Sequence, residues 1–72
     1  MILRVTDKSG DTAVDTEEDV DLARELFAKT AERQMWGKGV RDGESEFIPH
    51  GTEFDSLMSF DEVIMLPQQV GG

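Results

Sequence analysis

The chain contains no cysteine, which excludes disulfides, thiolate metal sites and a cysteine nucleophile of its own, and leaves nothing that argues for an oxidising compartment. Basic residues are scarce as well. Seven Lys and Arg stand against sixteen Asp and Glu among 72 residues, a net charge of -9, and such a surface repels phosphate backbones and anionic headgroups. Direct binding of nucleic acid or membrane is therefore not expected. No apolar run approaches the roughly 20 residues of a membrane span, and Arg4, Asp7 and Lys8 break up the start of the chain before a secretory leader could form. The composition suits a cytoplasmic protein. Histidine is limited to His50, set between Pro49 and Gly51 with no partner nearby in sequence, so it reads as a solvated turn residue rather than a base or a ligand. Asp7, Ser9 and Asp11 flank Gly10 but lack the remaining ligands of a calcium loop; no metal site is expected.

What is present reads as one small domain over residues 1–67, followed by a short tail over residues 68–72. A chain of this size buries only about 60% of the surface its unfolded form exposes, and its stability is expected to be modest. Met1, Leu3 and Val5 alternate with polar Arg4 and Thr6, the period of a half-buried strand. Turn formers from Asp7 to Asp11 and a β-branched return at Thr12 to Val14 complete an opening hairpin.

Thr16 and Asp19 resemble a capping box, and Glu17, Glu18, Asp19 and Asp21 load the first turn with favourable charge. Val20, Ala23, Leu26, Phe27, Ala31 and Met35 then follow helical spacing. The expectation is a helix of about five turns ended by Gly37 and Gly39, with Trp36 capping the core. Gly37 to Glu46 reads as a loop or irregular strand, and Glu46 to Ile48 as a short edge strand stopped by Pro49. Phe54, Leu57, Met58 and Phe60 supply scattered core anchors. Val63 to Leu66 is the most apolar run, ended by Pro67 and followed by Gln68-Gln69-Val70-Gly71-Gly72, a tail without periodicity that is expected to be mobile.

This order predicts an α+β fold, a mixed sheet with one helix packed across it. Met1-Ile2-Leu3-Arg4-Val5 with Ser9-Gly10-Asp11-Thr12, and Asp61 to Pro67 ending in Gly71-Gly72, resemble the ubiquitin-like β-grasp family of protein modifiers and bacterial sulfur carriers. The resemblance spans essentially the whole chain, although the middle segment departs from it. It implies a protein that is a substrate, not an enzyme, with no catalytic residue and no bound cofactor. An E1-like activating enzyme would use ATP to adenylate the Gly72 carboxylate, and Gly71 and Gly72, lacking Cβ atoms, would thread its narrow channel. Further partners would be a conjugation target or a sulfur-accepting synthase, and the chain alone would be a monomer. Alignment from the diglycine turns Val63 and Met65 inward and Ile64 and Leu66 outward, so that Ile64, Leu66 and Val70 would meet partners; the alternative is that another element covers that face and buries Ile64 and Leu66 as well.

A second resemblance competes with the first. Glu62-Val63-Ile64-Met65-Leu66-Pro67-Gln68-Gln69-Val70 is similar to the DNA-mimicking strand of phage uracil-DNA glycosylase inhibitors, and the net charge suits such mimicry. Asp61 and Glu62, with Asp55 and Ser56, would then occupy phosphate positions, and Met65 with its neighbours would trap an apolar probe of the enzyme. A ubiquitin-like scaffold that binds partners without being conjugated is the third reading.

Overall fold

Two hairpins, a helix and a last strand make up the computed structural model, which describes residues 1–7 and 10–67. Strand β1 (Ile2–Asp7) buries Leu3 and Val5, as the alternation predicts, and pairs antiparallel with β2 (Gly10–Asp15), which turns Val14 to the same side. Thr16 is buried at the end of β2, where its hydroxyl accepts from the Met1 amino group at 3.2 Å and donates to the Met1 carbonyl at 3.0 Å. That engagement removes it from the helix.

The N-cap of α1 (Val20–Glu32) is therefore Asp19, whose carboxylate accepts the Leu22 amide at 3.0 Å. The helix is shorter than its apolar spacing predicts. It stops at Arg33 because Gln34 takes φ 55, and the Gln34 and Met35 amides then bond the carbonyls of Ala31 and Thr30 at 3.2 and 3.1 Å. These are the two bonds of a Schellman cap, with glutamine where glycine is usual. The buried stripe is Ala23, Leu26, Phe27 and Thr30, the Thr30 hydroxyl donating to the Phe27 carbonyl at 2.6 Å; Val20 and Ala31, expected in the stripe, are exposed.

Met35 is buried, yet it leaves the helix, and Trp36 opens a strand instead of closing the helical stripe. The segment read as a loop or irregular strand forms the regular strand β3 (Trp36–Arg41) and a two-residue turn, and the short edge strand expected before Pro49 is β4 (Glu44–Ile48). Asp42 and Gly43 form that turn with φ 53 and 80, the left-handed pair of a type I′ hairpin. The strand escapes a search for apolar alternation because its inward positions are Gly37 and Gly39. A Cβ on Gly39 would lie 2.6 Å from the Phe60 ring, and one on Gly37 would lie 2.8 Å from the Met65 sulfur. Side chains from the end of the chain occupy the volume that β3 leaves empty.

A 3-10 helix, Phe54–Ser59, buries Phe54 and Leu57 but leaves Met58 exposed, so Met58 is not the core anchor expected of it. Strand β5 (Glu62–Leu66) completes a five-stranded sheet of order β2-β1-β5-β3-β4. It runs parallel to β1 and antiparallel to β3. The helix packs on β1 and β2, and Phe27 meets Phe54 at 5.9 Å between centroids, closing one face of the sheet. The other face has no covering element among the described residues.

Two substitutions test this packing. Gly39→Ala should destabilise the fold by about 1–3 kcal/mol, the cost of forcing a ring aside in a filled core. Gln34→Gly should stabilise it by about 0.5–1 kcal/mol by relieving the left-handed strain. Urea denaturation measures both, and changes of the opposite sign would contradict the cap and the ring contact.

Candidate docking face

The uncovered face is built by alternation. Because Val63 and Met65 point into the core, with 0% and 4% exposure, Ile64 and Leu66 must point away from it, and each is half-buried. Cross-strand register then sets their neighbours. Ala13, Arg4, Ile64, Lys38 and Phe47 form one row across all five strands, and Leu66 stands opposite Trp36. Trp36 is 36% exposed and Phe47 66%, with their rings tilted at 31° and 6.1 Å apart. Trp36, Phe47, Ile64 and Leu66 thus make an exposed apolar cluster at the end of the sheet where β5 finishes. Beside it Gln34, Met35, Trp36, Phe47 and His50 border an open concavity of about 720 Å³.

Charged side chains on this face include one ion pair. The Arg4 guanidinium meets the Glu62 carboxylate at 3.1 Å. Lys38 has no ion-pair partner among the described residues and sits between Ile64 and Phe47 in the register. A partner for such a face needs apolar side chains and one suitably placed carboxylate. Exposed aromatic residues also suit the desolvated centre of an interface.

Of the residues singled out from the sequence, Ile64 and Leu66 share this face, whereas Val70, Gly71 and Gly72 lie outside the described residues. The acidic set is scattered by comparison. Asp61 accepts the Asp42 amide at 3.1 Å, Glu62 is held by Arg4, Asp55 faces Arg24 at 3.4 Å, and Met65 is buried. Ser56 caps nothing on this face; its carbonyl accepts the Ser59 hydroxyl at 3.3 Å. Sequence reasoning made Trp36 a cap on the core and read Phe47 as part of a short edge strand, without assigning either to an exposed face. The available signal was Asp42-Gly43, a strong type I′ turn pair, which implies strands on either side and hence outward positions for Trp36, Lys38 and Phe47.

No group of three or more acidic or histidine side chains that could hold a metal occurs among the described residues, and no helix there is long and apolar enough to cross a membrane. The arrangement defines a small α+β domain of β-grasp-like topology with one apolar sheet face exposed. Comparison with protein-family models, curated proteins and solved structures returns no match.

Phe47→Ala should change stability by less than about 0.5 kcal/mol, as for an exposed side chain, while altering Trp36 fluorescence. Met65→Ala should cost about 2–5 kcal/mol. Equal losses of stability for the two in denaturant titrations would contradict the assignment of faces.

Proposed function

We propose that this chain is a ubiquitin-like modifier that docks through its uncovered sheet face and is activated at the carboxylate of Gly72. One observation carries the reading: the apolar cluster of Trp36, Phe47, Ile64 and Leu66 lies at the end of the sheet where β5 gives way to Pro67. Gly72 lies five positions beyond Pro67, a reach of at most about 18 Å for an extended chain. A single partner can hold the face and work on Gly72. The same reading requires a free carboxylate there, supplied by a chain ending at Gly72 or by a protease that cuts after it.

The chemistry belongs to the partner. A Gly72 carboxylate oxygen attacks the α-phosphorus of ATP, pyrophosphate leaves, and an acyl adenylate forms. A thiolate of the activating enzyme then attacks the acyl carbon and displaces AMP, and a target amine finally displaces the thiolate to give an amide. Adenylation makes a poor electrophile reactive because AMP is a far better leaving group than hydroxide. If sulfide in place of the thiolate attacks the acyl carbon and displaces AMP, the product is instead a thiocarboxylate on Gly72, the chemistry of a sulfur carrier. The acidic surface would speed encounter with a basic partner more than it would add affinity.

Mass spectrometry of the protein and its adducts from its native cell tests the reading. A Gly72 remnant on lysines of other proteins is the result expected of a modifier; a thiocarboxylate without remnants would replace that reading with the sulfur-carrier one, and neither species would remove both. With a cognate activating enzyme, removal of Gly71 and Gly72 should abolish pyrophosphate release. Trp36→Ala should raise the KM for this protein by at least about tenfold, the effect of losing an interface anchor.

A further inference from the structure

One of the two edges of the sheet is β4, and the phase of its hydrogen bonds follows from the turn before it. A two-residue turn at Asp42-Gly43 makes Arg41 and Glu44 a hydrogen-bonded pair. Pairing then alternates, so Gly39 with Glu46 and Gly37 with Ile48 also exchange backbone bonds. The Val40 carbonyl, out of phase with these, turns the other way and accepts the Asp61 amide at 2.8 Å. Ser45 and Phe47 consequently direct their backbone N–H and C=O groups away from the sheet, and neither has a backbone partner among the described residues.

We propose that this edge takes up an extended, basic segment of a partner protein as an added strand. Alternation dictates the chemistry of the guest. On the outer face it would lie beside Phe47 and the concavity next to Trp36, which suits apolar side chains. On the inner face it would lie beside Glu44 and Glu46, both exposed. Among the described residues Glu46 is engaged by Arg41, at 3.7 Å and in solvent, a pair weak enough to exchange. The matching guest therefore alternates basic and apolar residues. A second copy of this chain is a poor occupant, since β4 against β4 gathers four glutamates on one face. The opposite edge, β2, offers outward Asp11 and Asp15 and nothing more apolar than Ala13. This proposal stands apart from the chemistry at Gly72.

The test uses a blocked peptide of three Lys-Val repeats, titrated into the isotopically labelled protein. Shifts and slowed exchange of the Ser45 and Phe47 amides are expected, with affinity at least tenfold above that of a Glu-Val peptide and of a Lys-Pro peptide, which keeps the charge but loses alternate amides. Ser45→Pro should weaken binding about tenfold while leaving the fold intact, because that N–H makes no bond to β3; Ser45→Ala should bind normally. Exchanging Glu44 and Glu46 for lysine should transfer the preference to the Glu-Val peptide. Equal binding of the Lys-Pro peptide, shifts confined to β2, self-association through β4, or unfolding of Ser45→Pro would each overturn the proposal.

Discussion

The insertion of β5 between β1 and β3 is the contact on which every other layer rests. The β1-β2 and β3-β4 hairpins share no ladder, and among the described strands β5 alone is hydrogen-bonded to both. Its inward side chains, Val63 and Met65, lie at the centre of the core, and Met65 also fills the space above Gly37. Its outward side chains, Ile64 and Leu66, belong to the exposed apolar cluster. One strand thus sets the core and the face opposite it, and a register slip by one residue would exchange the two sets. Because β5 pairs with β1 from the far end of the chain, that ladder closes a long loop, and the hairpins are expected to form before it.

Charge plays a smaller part in holding the fold. The Arg24–Asp55, Lys29–Glu25 and Arg41–Glu46 pairs are all largely exposed, and such pairs are worth at most about 1 kcal/mol each. A buried Leu57 or Val63 outweighs any of them. Two arginines also lie over aromatic rings, Arg41 on Phe60 at 4.6 Å and Arg24 on Phe54 at 4.8 Å. The excess of acid is left for the surface. On the readings proposed above it would favour basic partners, and at Glu44 and Glu46 like charge disfavours pairing of the β4 edge with itself.

Elements whose signal is local were legible. The alternation of Leu3 and Val5, the helical spacing from Ala23 to Phe27, and the apolar run before Pro67 each depend on neighbours within a turn or a strand. The helix end was not, because glutamine in a left-handed cap resembles any helical glutamine until its backbone is seen. Thr16 looked like a cap for a similar reason: its side chain can bond its own helix or the start of the chain, and burial beside Met1 chose the latter.

By itself, then, the sequence determined the α+β class, the opening hairpin and the helix start within a few residues, since these follow from period and propensity, whereas the last strand is apolar at every position from Val63 to Leu66 and its inward side was expected only from the family resemblance. Tertiary structure decided the middle of the chain. Gly37 and Gly39 carry no side chain to announce a buried face, and only the approach of Met65, Ile48 and Phe60 supplies the missing volume. That approach makes Trp36–Arg41 a strand, and a strand at that position must turn Trp36 and Phe47 out of the core and onto the surface beside Ile64 and Leu66.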